Sequence, residues 1–251
     1  MSIEWPHNLA HSQPHPPVSI VTPTHNRKKF IPYLIECIRQ QTYPKGRFEW
    51  LIYDDGTEKI EDVIAPYMTE LNIRYFTSDV KLTIGQKRNK LHEEARGEII
   101  VVFDDDDYYM PERINYSVQM LISKKVELCG CSRNHMYFSD EKKIYEIGPY
   151  TAAFGSNHAT FGTMTYTKNY AVKHKCNETK TFAEESEFLN MYKERLYQLD
   201  PTKVMIVICH SQNTFNKDKL RDGASAFVKK TGLQLKGFIK NKGLRDFYAS
   251  A

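Results

Sequence analysis

The feature that most constrains this chain is a fourfold alternation of short apolar runs with amphipathic segments, ending in four consecutive aspartates. VSIVT (18–22), FEWLIYDD (48–55), IRYFT (73–77) and EIIVVF (98–103) are short, β-branched or aromatic runs, the pattern of strands buried on both faces. Between them, 30–41, 58–71 and 84–96 carry apolar residues at helical spacing, and Pro111 with Glu112 predicts a fourth helix start. A β-α-β-α order of this kind predicts an α/β fold with a mostly parallel central sheet flanked by helices. Ligands of such sheets bind at the carboxyl ends of the strands. Polar residues gather at those ends here: after Thr22, at Asp54–Asp55, and at Asp104–Asp107. Beyond residue 111 the pattern is less regular, with strand-like runs near 126–131, 134–139, 162–167 and 203–209 and a helical run near 184–195. Neither a repeat nor a linker divides the chain, so one compact domain with two lobes is expected.

A chain of 251 residues needs no disulfide or zinc staple to fold. Its five cysteines (Cys37, Cys129, Cys131, Cys176, Cys209) lack paired spacing and read as buried thiols in a reducing compartment. With no apolar run of membrane-spanning length and no signal-peptide pattern in 1–17, the expectation is a cytoplasmic protein, soluble or peripherally membrane-associated. The net charge of +4 is too mild to imply nucleic-acid binding. It conceals an uneven placement. From Lys217 to Arg245 nine basic residues (Lys217, Lys219, Arg221, Lys229, Lys230, Lys236, Lys240, Lys242, Arg245) face only Asp218 and Asp222, interleaved with Leu and Phe. Such a tail could close over a diphosphate as a lid, lie on an anionic membrane, or simply be solvated.

Adjacent carboxylates repel, and when buried they must protonate or find a cation. In an extended backbone Asp104 and Asp106 would face one way and Asp105 and Asp107 the other, so alternate carboxylates could serve one hard cation. Mg²⁺ or Mn²⁺ uses one or two carboxylates with phosphate oxygens and water, which suits a bridge to a nucleotide diphosphate.

Four segments in order, VSIVTPTHNR, WLIYDDGT, IGQKRNKLHEEARGEIIVVFDDDDYYMPERI and FAEESEFL, resemble the family 2 glycosyltransferases with the nucleotide-sugar-binding GT-A fold. They cover about residues 18–195. The resemblance implies a metal-dependent, inverting transfer of a sugar from a nucleotide diphosphate, with a UDP-sugar favoured, to a hydroxyl acceptor on a glycan, lipid or protein-linked sugar. It implies a base pocket at Thr22, Pro23 and Thr24, with Asn26 in the same loop. Asp55 would accept the uracil imide N–H while Asp54 shapes the turn, and Gly85 would allow close backbone approach. Arg88 would approach the base or diphosphate, with Lys87 either solvated or sharing that role. Asp105 or Asp104 would meet the ribose. Mn²⁺ or Mg²⁺ would sit on Asp106 first and Asp104 second, with His210 a candidate third ligand; the register within Asp104–Asp107 stays open by one residue.

Among Glu184, Glu185 and Glu187, the match favours Glu185 as the catalytic base. His158 is a candidate acceptor contact, and Tyr108, Tyr109, Tyr137, Tyr150 and Phe161 are candidates for a sugar-stacking wall or for core. The implied organisation is a lead-in (1–17), a nucleotide-sugar-binding half (18–110), an acceptor-binding and catalytic half (111–216), and a basic tail or lid (217–251). A sugar nucleotidyltransferase is the nearest alternative, although a Gly-rich loop is missing after the first strand. A non-catalytic nucleotide-sugar or metal-binding module is the alternative from another class.

Overall fold

The structure is a computed structural model describing residues 15–150, 154–179, 185–211, 213, 217–222 and 227–251. Residues 1–14 of the expected lead-in and the candidate Glu184 lie outside the described residues. The strands are β1 (Val18–Thr24), β2 (Phe48–Asp54), β3 (Ile73–Thr77), β4 (Ile99–Val102), β5 (Tyr108–Tyr109) and β6 (Leu128–Gly130). They continue with β7 (Asn134–Phe138), β8 (Lys143–Ile147), β9 (Thr165–Thr167), β10 (Tyr197–Gln198), β11 (Met205–Cys209) and β12 (Val228–Lys230). The helices are α1 (Ile31–Arg39), α2 (Glu61–Ile64), α3 (Ile84–Glu94), α4 (Arg113–Ser123) and α5 (Lys168–Lys173). Four more follow: α6 (Glu185–Phe188), α7 (Asp218–Asp222), α8 (Leu235–Phe238) and α9 (Lys242–Ser250).

The main sheet has the order β10-β6-β9-β4-β1-β2-β3, with β1 parallel to β2 and β4, and β2 parallel to β3. β9 runs against β4 and β6, so the sheet is mostly rather than wholly parallel. Side-chain alternation explains why these runs are apolar throughout. Val18, Ile20, Trp50, Ile52, Ile99 and Val101 meet Ile31, Leu34 and Ile38 of α1 and Ile114, Val118 and Leu121 of α4. On the other face Val21, Leu51, Ile100 and Val102 meet Leu91 of α3 with Tyr166, Tyr170 and Phe188. Each fully buried large apolar side chain contributes about 1.5–3 kcal/mol, so both layers clamp the sheet between them.

A second sheet, β12-β8-β7-β11-β5, packs the less regular half and was not foreseen from sequence. The expected helix over 58–71 shortens to α2 plus a 3₁₀ turn at Ala65–Tyr67, because Pro66 has no N–H and cannot sit inside a helix. The helical run near 184–195 stops at Phe188, and Asn190, Met191 and Tyr192 then take positive φ (47, 53 and 63°). The expected start at Pro111 shifts to Arg113, with Glu112 at the cap position.

The basic tail is built into the fold. β12 pairs with β8, and Leu235, Ile239, Leu244 and Tyr248 are buried against Cys37, Tyr108, Ile206 and Ile208. Most of its apolar residues are thus spent on the core, with Leu233 left exposed, which corrects two expectations. No apolar stripe remains on α9 for a bilayer, and the segment from 228 onward is a packed layer rather than a hinged lid. Among the described residues no helix is long and apolar enough to cross a membrane.

Candidate functional site

Register sets the site. β1 and β4 pair with Val21 opposite Val102, so Thr24 and Asp105, each three residues further on, reach the same level at the carboxyl edge. There the Thr24 hydroxyl donates to Asp105 Oδ2 at 2.6 Å. β2 ends level with them, Asp54 opposite Thr24. β4 stops at Val102, however, and Asp105 and Asp106 lie in a turn. The expected strand-like alternation of the four carboxylates therefore does not hold; the turn splays them toward four different partners.

Asp104 accepts from Arg88 Nη2 at 3.1 Å, and its backbone N–H donates to the Tyr109 hydroxyl. Asp106 Oδ2 is met by Arg27 Nη1, by Asn213 Nδ2 at 3.1 Å, and by His210 Nε2 at 3.2 Å. Asp107 turns inward, where Oδ1 accepts the Ile208 N–H at 2.8 Å and its carbonyl accepts from the Tyr248 hydroxyl. Burial followed by the neighbouring Asp106 charge pushes the Asp105 carboxyl up, and burial does the same for Asp107 against the pull of Lys217. Asp106 goes the other way. Burial opposes its charge, but His210, Lys217 and Arg27 together hold it well below the usual carboxylate range. The surroundings of Asp106 thus favour its ionised form.

At the end of β2 the two aspartates divide the work. Asp54 Oδ1 accepts the Gly56 N–H at 2.9 Å and Oδ2 accepts from the Tyr75 hydroxyl at 2.6 Å, so it ties the turn. Asp55 Oδ1 meets Lys87 Nζ at 2.8 Å and His25 Nδ1 at 3.0 Å, and Oδ2 accepts the Leu82 N–H at 2.7 Å. Burial would raise its pKa, yet the Lys87 hydrogen bond, the Leu82 N–H and the adjacent charges hold it below its ordinary value. The Asp55 side chain has no exposure, so a ligand donor reaches Oδ2 only if one of these neighbours moves aside.

The helix that delivers the cations begins with a capping box: Thr83 Oγ1 accepts the Gln86 N–H and Gln86 Oε1 accepts the Thr83 N–H. One turn in, Lys87 and Arg88 both point into the site, Lys87 to Asp55 and Arg88 to Asp104. Neither is solvated. The Arg88 guanidinium also lies over the Phe161 ring, 3.9 Å from its centroid. Phe161 in turn packs on Phe188 of α6, the short helix that Glu185 begins. That stack is the physical link between the acidic turn and Glu185. Glu187, the other described candidate, is committed to Asn177 Nδ2 at 2.6 Å.

Several expected positions turn out otherwise. Thr22 is wholly buried, with its hydroxyl accepting from Trp50 Nε1 at 2.9 Å, so its side chain belongs to the core rather than a pocket wall. Pro23 is buried on the same strand. Asn26 braces the β2 turn, its Oδ1 accepting from Thr57 and from the Glu58 N–H. Gly85 does allow close approach, but of the chain itself: a Cβ there would lie 1.9 Å from the Asn177 carbonyl oxygen. His158 is buried beneath Phe154 and beside Tyr150 and Tyr192, and burial lowers its pKa to about 4. Tyr108, Tyr109, Tyr137 and Phe161 are core aromatics, which removes them from an exposed stacking wall.

Arg27, His25 and Asn213 are site residues that sequence reasoning missed, whereas Lys217, expected only as part of the basic tail, lies beside Asp106 and Asp107. The run HNRKK directly after β1 was the available signal for His25 and Arg27; Asn213 gave none.

The donor set suits Mg²⁺ or Mn²⁺ completed by phosphate and water. Asp106 and His210 are already adjacent, and Asp104 is the nearest half-exposed carboxylate in sequence. Among the described residues no group of three or more His, Cys, Asp or Glu is placed to hold a metal ion, so the protein would offer the Asp106–His210 pair and the ligand would complete the shell.

The family model described as glycosyl transferase family 2 matches residues 19–222. The poly(ribitol-phosphate) beta-N-acetylglucosaminyltransferase TarS of Staphylococcus aureus is 30% identical over 98 residues, 38% of this chain and 17% of TarS. This chain therefore spans under a fifth of that relative's length. The structure of S. aureus TarS 1–349 in complex with UDP-GlcNAc superposes with a TM-score of 0.66 at 18% identity, covering 79% of this chain and 60% of the other. The mannosyltransferase PcManGT from Pyrobaculum calidifontis, in complex with GDP-Man and Mn²⁺, gives 0.64 at 14% identity, covering 80% and 59%. At these identities the likeness is one of fold, the GT-A type. None of these matches points to a sugar nucleotidyltransferase.

Proposed function

The chain belongs to glycosyl transferase family 2, and from that premise we propose that it transfers a sugar, with inversion, from a nucleoside diphosphate to an acceptor hydroxyl. The acceptor class is a glycan or a lipid- or protein-linked sugar. The observation that carries this reading is the meeting, at one sheet edge, of a lowered Asp55, the Arg88–Asp104 pair and the Asp106–His210 pair. Residues 18–110 would hold the nucleotide sugar, and 111–216 would supply the acceptor side.

Asp55, held ionised by Lys87 and the Leu82 N–H, would accept the imide N–H of uracil once one of the groups covering it moves aside, which is why a UDP-sugar is favoured. TarS bound to UDP-GlcNAc supports that choice, while PcManGT bound to GDP-Man supplies the competing base. Pro23, Thr24 and Asn26 would bound the base through backbone atoms, and Asp105 or Asp104 would meet the ribose. Arg88 offers charge-assisted hydrogen bonds to the diphosphate. Asp106 and His210, with Asp104 second among the carboxylates, would hold Mn²⁺ or Mg²⁺; bound there, the cation neutralises charge on the leaving diphosphate. Glu185 would take the proton of the acceptor hydroxyl as its oxygen attacks the anomeric carbon from the face opposite the diphosphate. The bond from that carbon to the phosphate oxygen breaks in the same step, so the configuration inverts. Five buried free thiols support a reducing compartment.

Calorimetry of UDP and GDP with and without Mn²⁺ tests this, followed by a nucleotide-sugar panel assayed for slow transfer to water. UDP binding strengthened by Mn²⁺ is expected. Nucleotide binding indifferent to Mn²⁺, or none, overturns the metal-assisted reading.

A further inference from the structure

Asp106 Oδ2 is crowded. An sp² oxygen has two lone-pair directions, yet Arg27, Asn213 and His210 all converge on this one atom. Of the three, Arg27 is the permanent cation. Its Nη1 also lies 3.9 Å from Asp105 Oδ1, so one guanidinium answers two carboxylates of the turn. The surroundings hold it there. Asn26 takes the left-handed conformation (φ 52°) that Asn tolerates, pinned by its bonds to Thr57 and Glu58. The chain therefore turns at Asn26 and carries Arg27 across the end of the sheet toward β4's turn. The guanidinium sits 5.8 Å from the Phe30 ring centroid, and the Phe30 and His210 rings meet at 4.7 Å with a tilt of 32°. Arg27, Phe30 and His210 thus form one layered assembly around Asp106, in which the imidazole is suited to ligate a metal and the guanidinium is not.

A divalent cation approaching Asp106 meets a positive charge already bonded to the same oxygen. Both cannot keep it. The displaced fork would stay at the mouth of the site, where a diphosphate is the ligand whose geometry it matches, by paired N–H···O bonds. We propose that Arg27 is the resident counter-ion of the acidic turn, that a divalent cation engages Asp106 by displacing it, and that the released guanidinium passes to the donor's diphosphate. Arg27 is then a positioning residue that makes metal binding and nucleotide binding favour one another. The inference rests on the metal-assisted reading given above.

The test measures Mn²⁺ binding to the full chain in the absence of nucleotide, then UDP binding at saturating Mn²⁺, by calorimetry. Arg27→Met keeps the length of the side chain and removes its charge. Mn²⁺ is expected to bind about tenfold tighter to it, and UDP about tenfold weaker, each a change of about 1.4 kcal/mol. Arg27→Lys, which keeps the charge, should stay near wild type for Mn²⁺. Unchanged or weaker Mn²⁺ binding by Arg27→Met overturns the proposal while leaving the metal-assisted reading standing. Wild type and variant that both ignore Mn²⁺ overturn the two together. Should Arg27→Met fail to fold, the wild-type protein still decides: the Arg27 guanidinium N–H resonance must move on titration with Mg²⁺ alone, and a resonance that stays in place overturns the exchange.

Discussion

Lys87 and Asp55 form an ion pair almost wholly shut off from solvent, Nζ to Oδ1 at 2.8 Å, with side-chain exposures of 7% and 0%. The Lys87 ammonium also donates to the Thr24 carbonyl at 3.0 Å, so one cation joins the ends of β1 and β2. Removing one member of such a pair leaves an uncompensated charge. Lys87→Met should therefore lower stability by about 3–5 kcal/mol, read from urea unfolding. The double variant Lys87→Met/Asp55→Leu should recover much of that loss. If the single variant unfolds at the wild-type urea midpoint, the pair does not hold the strand ends.

Glu185 is the expected base. Glu185→Gln keeps size and hydrogen-bonding capacity but cannot take a proton, so transfer should fall by about 10²–10⁴-fold while UDP-sugar affinity stays within a few-fold. Transfer at the wild-type rate would remove Glu185 from the mechanism.

Two glycines should fail differently on gaining a methyl group. At Gly85 a Cβ would strike the Asn177 backbone, which cannot rotate away, so Gly85→Ala should cost about 1–3 kcal/mol and a visible drop in Tm. At Gly162 the clash, 2.5 Å, is with Asp104 Oδ2, the end of a side chain that can turn. Gly162→Ala should leave Tm nearly unchanged and weaken Mn²⁺-dependent UDP binding by disturbing the Arg88–Asp104 pair. Equal Tm losses in both variants would contradict this assignment.

His92 should make the fold acid-sensitive. It is buried, 2.6 Å from the Tyr166 hydroxyl, and burial first, then the Arg88 charge, lowers its pKa from 6.5 to about 3. Above pH 6.5 both folded and unfolded states hold it neutral. Between about pH 6.5 and 3 the unfolded chain binds a proton that the folded chain refuses, so stability falls on acidification by up to about 1.4 kcal/mol per pH unit. Urea midpoints at pH 7, 5.5 and 4.5 should decline less steeply for His92→Gln than for wild type. Parallel declines would show that His92 is not the group responsible.

The sequence alone determined the frame. Strands such as VSIVT and EIIVVF are legible because burial on both faces demands unbroken apolar residues, and the parallel order follows from the intervening helices. It also located the acidic cluster just past the end of β4, although not that the cluster forms a turn. Tertiary structure decided which carboxylate does what. Whether Asp106 or Asp104 meets His210 depends on β11 arriving from about a hundred residues away, and on β4 stopping at Val102 so that the aspartates occupy a turn. The fate of the basic tail was decided the same way. Its amphipathic pattern fits a lid, a membrane surface or a solvated face equally well, and the burial of Tyr248 and Leu244 against Cys37 and Tyr108 shows a packed helix instead. Local periodicity reports that a face is apolar; what covers that face is a property of the whole chain.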